Sequence, residues 1–300
     1  MHLALATCTN VPHWESDDKP FHQELASRGI QVTRPPWDDP DVDWAEFDAC
    51  LIRTTWDYMD KQDDYVAWAR HAAGKTQFFN PPQVIAWNTD KRYLRDLENA
   101  GVPIAPSLWF EQGDKVDLAA LLAEQPWERG FLKPVIGATA RETLRFATDP
   151  EGIAQAQAHL DRVLATEAMI LQPYLARVET QGEISAIFFD GKISHTVRKV
   201  PVPGDYRVQD DFGADDFPIQ FTEAQQQLAH RVVAGAHTVL GIPQDKPLLY
   251  ARVDLLEDDD GELVVTELEL VEPSLFFRHA PEAARRLTDA LCRRMGWEQS

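Results

Sequence analysis

Arg252-Val253-Asp254-Leu255-Leu256, the acidic stretch Glu257-Asp258-Asp259-Asp260-Gly261, and Val264-Val265-Thr266-Glu267-Leu268-Glu269 decide how this chain is read. The two apolar runs alternate with polar residues, and the stretch between them is a turn, so the segment predicts a β-hairpin. Asp254 lies on its first strand. Glu267 and Glu269 are two apart on the second and so point to one face of the sheet. Three carboxylates brought to one face repel unless positive charge lies among them. A hard divalent cation, Mg²⁺ or Mn²⁺, is a natural occupant, and Mg²⁺ commonly shares its shell with nucleotide phosphates. A solvated hairpin with acidic outward positions fits the same pattern, so the rest of the chain has to decide.

A chain of 300 residues can bury an ample core. The 44% hydrophobic content and nine tryptophans predict a folded globular protein. The formal charge of −20 argues against a nucleic-acid partner, though a few placed cations could still hold a small anionic ligand. No run approaches the ~18–20 apolar residues of a membrane span. Met1-His2-Leu3-Ala4-Leu5-Ala6 lacks the basic start of a signal peptide and reads as a buried first strand. Cys8, Cys50 and Cys292 are odd in number and widely spaced, which suits buried thiols in a reducing cytoplasm.

The first part alternates strand and helix signals. Leu3–Thr7, Ile30–Thr33 and Ala49–Arg53 read as strands, and Phe21–Arg28 and Tyr65–Ala73 as helices ending at glycine. That order predicts a parallel α/β layer, whose ligands sit beyond the carboxyl ends of the strands. Arg53-Thr54-Thr55-Trp56-Asp57-Tyr58 lies at such an end. Arg53 would clamp a substrate carboxylate there, with Thr54, Trp56 and Tyr58 as pocket walls. Packing of a loop by Trp56 and Tyr58 is the alternative. Asn88-Thr89-Asp90-Lys91 is expected to open a helix, which puts Lys91 in a first turn where the helix dipole disfavours a cation. Phe131-Leu132-Lys133-Pro134 ends a strand with a lysine ahead of the small-residue loop Ile136-Gly137-Ala138-Thr139-Ala140, a plausible phosphate clamp. Neither a complete Gly-x-x-x-x-Gly-Lys-Ser/Thr loop (Gly74-Lys75-Thr76 lacks its first glycine, Ala69 standing there) nor a Gly-x-Gly-x-x-Gly fingerprint occurs. Asp190-Gly191 predicts a second hairpin, ending in Arg198 and Lys199, ahead of a long Pro/Gly/Asp-rich segment. Thr222–Leu240 and Glu282–Met295 are read as helices.

In this order the pieces resemble the ATP-grasp superfamily over roughly residues 85–297. The matching pieces are Lys91 ahead of Gly101-Val102-Pro103-Ile104-Ala105-Pro106, Lys133-Pro134, Gln172-Pro173-Tyr174-Leu175, Gly182-Glu183, Arg198-Lys199, Gly204-Asp205-Tyr206-Arg207, and Asp254 with Glu267 and Glu269. No single piece is specific; their collinearity is. The chain is similar to the group of glutathione synthetase and the ribosomal protein S6 modification enzyme. Residues 53–58, 131–143 and 267–276 also resemble the cyclo-ligase that closes O-ureido-D-serine into cycloserine.

The resemblance implies an α/β and α+β fold. An N-terminal pre-ATP-grasp domain (1–84) would precede a small subdomain with its linker (85–175) and a metal-binding subdomain (176–300), with the nucleotide between the last two. It implies that Lys91 and Lys133 contact the phosphates of ATP, that Gln172, Pro173, Tyr174 and Leu175 hold the adenine edge, partly through backbone groups, and that Glu183 binds the ribose. Arg198, Lys199 and Arg207 would face the γ-phosphate or an acyl phosphate, and Asp254, Glu267 and Glu269 would carry Mg²⁺ or Mn²⁺. Glu269 stands where many relatives have Asn, and Glu272 is a competing ligand or a substrate contact. The implied activity is ATP-dependent joining of a carboxylate to an amine through an acyl phosphate, between two molecules or within one. A kinase that stops at phosphorylation and a nucleotide-binding module without activity are the competing readings. Segments 136–143 and 201–217 are expected as lids over the site. The expected partners are small carboxylate and amine substrates, and the chain could pair as a homodimer.

Overall fold

In the computed structural model, residues 1–9, 15–138 and 140–297 are described; Thr139 of the expected small-residue lid lies outside them. The elements follow the order β1 (His2–Thr7), α1 (Glu15–Ser27), β2 (Gln31–Thr33), β3 (Ala49–Thr54), α2 (Gln62–Ala73), β4 (Gln77–Phe79), α3 (Pro82–Asn88) and α4 (Tyr93–Asn99). Next come β5 (Leu108–Phe110), α5 (Leu118–Leu122), β6 (Arg129–Pro134), β7 (Leu144–Ala147), α6 (Pro150–Leu164), β8 (Met169–Pro173) and α7 (Val178–Gln181). The last are β9 (Glu183–Phe189), β10 (Lys192–Val200), β11 (Asp215–Ile219), α8 (Glu223–Leu240), β12 (Tyr250–Glu257), β13 (Leu263–Glu269) and α9 (Pro281–Met295).

Three sheets carry the chain. The first is parallel in the order β2-β1-β3-β4, as the strand–helix alternation predicts. The second, β5-β8-β6-β7, and the third, β11-β10-β9-β12-β13, are antiparallel. Both predicted hairpins form. Asp190 and Gly191 turn with positive φ between β9 and β10, the conformation a tight hairpin requires. α8 opens on a capping box, with Thr222 and Gln225 exchanging side-chain and backbone bonds, and stops at Gly241 in the left-handed region.

Two segments depart from expectation. The helix expected to begin at Asn88 is split, and Lys91 sits in the turn between α3 and α4. Asn88 is used elsewhere: its amide donates to Leu268 O at 2.8 Å, and its carbonyl accepts from Leu270 N at 2.7 Å. The expected 201–217 lid also ends early, because Asp215–Ile219 is strand β11 on the edge of the third sheet. Its Pro and its two Asp are poor strand formers, tolerated at an edge where one side needs no ladder bonds.

The core shows how the layers are joined. One buried cluster unites Leu3, Leu5 and Leu51 of the first sheet with Ile187 and Phe189 of the third and with Leu287 and Leu291 of α9. A second packs Leu94 and Leu97 of α4 and Val232 of α8 against Ala186, Phe188 and Val253 on the opposite face of the third sheet. The cluster of the second sheet draws only on residues between 108 and 171. Asn80 adds a polar stitch: its amide donates to Tyr250 O and Leu270 O, both at 2.9 Å, and its carbonyl accepts from Leu249 N at 2.9 Å. Cys8, Cys50 and Cys292 are buried. No helix among the described residues is long and apolar enough to cross a membrane.

Candidate active site

Strand register builds the site. In the third sheet Asp254 lies opposite Glu267, Arg252 opposite Glu269, and Lys199 opposite Glu183. Directly paired residues share a face, so four strands deliver these six side chains to one side of the sheet. Carboxylate oxygens of Asp254, Glu267 and Glu269 lie within 4.8 Å of one another, so the convergence expected from the hairpin is present.

Side-chain cations answer part of that charge. Arg252 holds Asp254 at 2.9 Å and also grips Glu269. Lys199 lies 3.3 Å from Asp254 and contacts Glu183. Lys91 reaches Glu267 at 3.0 Å. Burial works against the charge on Asp254, but Arg252 and Lys199 outweigh it and hold the carboxyl at about 2. Burial also opposes the charge on Glu267, and Lys91 and Lys133 keep its pKa below the usual carboxylate range. Arg252 carried no assigned role in the sequence reading. The rule of two that joined Glu267 to Glu269 joins Arg252 to Asp254 equally well, and it was the available signal.

Glu267 is also the joint between this cluster and a cleft with ≈ 960 Å³ of empty space, counted out to open solvent. Lys91, Lys133, Gln172, Pro173, Tyr174, Leu175, Glu183 and Arg207, all singled out from sequence, line that cleft. Its apolar wall comes from Phe131, Tyr174, Leu175, Val178, Tyr206 and Leu256. Burial pushes the Lys133 ammonium down to about 8. Lys91 donates from Nζ to Gly137 O at 2.8 Å, which ties the small-residue loop to the acidic cluster. Gln172 donates to Ser107 Oγ at 2.8 Å. The Tyr174 amide donates to Arg129 O at 2.9 Å, so this backbone group is taken and does not serve the adenine edge. Glu183 accepts from Thr266 Oγ1 at 2.9 Å. Arg207 is anchored to Asp205 at 2.6 Å and lies over the Phe212 ring.

Three expected site residues, Arg198, Arg53 and Thr54, fail on geometry. Arg198 is next to Lys199 on β10 and pairs with Ile184, a residue of the α8-facing core. Strand alternation turns it away from the acidic cluster, so Arg198 does not face the phosphate site. Arg53 is buried at 2% exposure and makes a bidentate pair with Asp18 of α1, at 2.8 and 2.7 Å, plus a bond to Pro273 O at 3.2 Å. Its guanidinium is committed to a core ion pair and cannot clamp a substrate carboxylate. Thr54 likewise turns inward to Thr7 Oγ1 at 2.7 Å. Trp56 and Tyr58 instead converge on Glu272. Trp56 Nε1 donates to its carbonyl at 3.0 Å, and the Tyr58 hydroxyl favours the charged form of its carboxyl. Burial lifts the Glu272 carboxyl to about 7.

Residues 3–80 match the family described as the N-terminal domain of D-cycloserine synthetase DcsG. Over 309 aligned residues the chain is 33% identical to the cycloserine biosynthesis protein DcsG of Streptomyces lavendulae, covering 98% of each chain. The chain belongs to the DcsG family of ATP-grasp ligases. The crystal structure of D-cycloserine synthetase DcsG superposes with a TM-score of 0.87 at 31% identity, over 98% of this chain and 100% of that one. The D-alanine–D-alanine ligase of Bacillus anthracis in complex with ATP shares the fold, with a TM-score of 0.68 at 16% identity over the whole of both chains. So does the ATP-grasp ligase PsnB in complex with a minimal precursor, Mg and ADP, with a TM-score of 0.63 at 16% identity over 98% of each chain. This DcsG-family protein is an ATP-dependent ligase that forms C–N bonds.

Proposed function

We propose that the protein activates a small amino-acid-type carboxylate with ATP and that a nitrogen then attacks the acyl phosphate. The observation that carries this reading is the continuity of the cleft: an apolar wall, two lysines and the acidic cluster meet at Glu267. In this reading the purine lies against Tyr174, Leu175 and Leu256, with Glu183 beside the ribose and Lys91 and Lys133 on the phosphates. The N-terminal sheet (1–84) supplies the substrate side, and the units 85–175 and 176–300 enclose the nucleotide.

The carboxylate is a poor electrophile because it is anionic and lacks a leaving group. Its oxygen takes the γ-phosphoryl group of ATP and ADP leaves; the nitrogen then adds to the acyl carbon and gives up a proton, and phosphate departs as the acyl C–O bond breaks. Lys199 and Arg252, fixed by ion pairs on the site face, neutralise charge developing on the transferred group. Arg207 approaches from the loop side of the cleft. The all-oxygen donor set of Asp254, Glu267 and Glu269 fits a hard cation such as Mg²⁺, which these carboxylates would hold and which would supply positive charge to the phosphates. The D-cycloserine synthetase relatives favour an intramolecular nitrogen, as in O-ureido-D-serine, over a second amine substrate. A cytoplasmic setting suits an enzyme drawing on ATP. The same setting suits its buried thiols.

ADP release, screened against O-ureido-D-serine, amino acids and dipeptides with mass spectrometry of the products, tests the proposal. Loss of water on ring closure, with a net loss of CO2 and NH3 where the carbamoyl group of O-ureido-D-serine is then hydrolysed off, or joining of two substrates, is the expected class of mass change. A stable phosphorylated product with no new C–N bond would overturn it in favour of a kinase. Mg·ATP at ~100 times its dissociation constant should also stabilise the fold by about 2.7 kcal/mol. Scanning calorimetry with millimolar nucleotide should show the rise in midpoint, and an unchanged midpoint would count against the nucleotide site.

A further inference from the structure

We propose that Arg278, just beyond the acidic strand, is a positioning residue that holds the 201–214 loop closed over the cleft. The proposal rests on the assignment of that cleft to a nucleotide. Tyr206, Arg207, Val208 and Gln209 line the cleft, and the next residue, Asp210, is gripped by Arg278 at 2.9 Å. The same guanidinium takes Asp17 of α1 at 3.0 Å and Asp216 of β11 through Nε at 3.1 Å. His279 also contacts Asp216. One cation therefore joins the loop, the sheet edge and the N-terminal layer.

Charge explains why this residue is decisive. Asp17, Asp210 and Asp216 converge from three elements, and without Arg278 they would repel one another and lift the loop away. A guanidinium presents separate donors in a fixed fork, so it can serve three acceptors at once; the point charge of a lysine cannot copy that. The far end of the loop is fastened independently, by Tyr206 OH to Thr143 Oγ1 at 2.8 Å across the cleft. Arg278 is itself placed by strained backbone. Phe276 is held at φ 51, a left-handed conformation unusual for a non-glycine residue. That turn sets the Phe276 ring against two guanidiniums, with Arg278 4.9 Å and Arg252 5.7 Å from its centroid. Arg252 is the cation on Asp254 and Glu269, so the loop's anchor and the acidic cluster share one aromatic spacer.

Amide hydrogen exchange of residues 203–212, with and without Mg·AMP-PNP, tests the idea in the parent, Arg278→Lys and Asp210→Asn. Nucleotide should protect the parent loop. Each variant should lose roughly tenfold or more of that added protection, the scale of one or two charge-assisted hydrogen bonds. Both should keep the exchange pattern of α9 and β12 and a nucleotide-free melting midpoint close to the parent's, which separates positioning from general destabilisation. Full nucleotide-induced protection in both variants would overturn the proposal. So would a parent that binds AMP-PNP, shown by calorimetry, without gaining protection in the loop. Failure of the parent to bind AMP-PNP at all would remove the nucleotide assignment, and this inference with it.

Discussion

Glu267→Gln should lower ADP release by about 100-fold or more, the scale on which removing one charge-stabilising group acts. The substitution keeps the side chain's shape and a hydrogen-bonding oxygen for Lys91, which now sits 3.0 Å away. What it removes is the negative charge where the cleft meets Asp254 and Glu269. Nucleotide binding measured without divalent cation should change little, while the gain in affinity on adding Mg²⁺ should shrink. Arg252→Met should be at least as severe in turnover. It leaves Asp254 with the Lys199 cation and the Ser185 hydroxyl, and removes the guanidinium from Glu269. Steady-state ADP release with the substrate found by the product screen reads both effects. Parent-like turnover in both variants would sink the assignment of this cluster to catalysis.

Asp18→Asn should be the costliest single change outside the cleft. Arg53 is almost wholly buried, and Asp18 is the carboxylate that meets two of its nitrogens. Removing one partner strands a charge in the interior, a loss of about 3–5 kcal/mol. In a chain of this size that lowers the melting midpoint by on the order of 10 °C. Replacing both partners, Arg53→Met with Asp18→Leu, should recover much of the loss, because an apolar pair of similar volume carries no desolvation penalty. Calorimetry on the single and double variants decides. A single variant that melts with the parent but raises the Michaelis constant would instead return Arg53 to the substrate.

Local pattern exposes an element; it does not expose a distant partner. The hairpins were legible because alternation and turn chemistry are local: Asp190-Gly191 and the 257–261 stretch announce them, and strand faces then follow from counting by two. Lys133, Glu183 and Glu267 were legible because they sit on strands. Arg198 was misread because the adjacent Arg198-Lys199 were taken together, although alternation lets only one face the site. Arg53 was misread because its partner is 35 residues away on a helix whose placement no local pattern reveals. The edge strand β11 hid behind its Asp and Pro residues, and Lys91 left its expected helix because Asn88 bonds β13 and the residue after it instead of capping.

The two buried asparagines have a mechanical consequence. Asn80 and Asn88 bind the backbone of β12 and of the β13 exit directly, and the first and third sheets share a core that the second sheet does not enter. The first sheet and the acidic cluster are thus joined in a single body, while the β5–β8 sheet that carries Lys133 is built on a core of its own. In the nucleotide-free protein, amides of β6 and β8 should therefore exchange through a shared partial opening, while those of β1, β3, β9 and β12 wait for global unfolding.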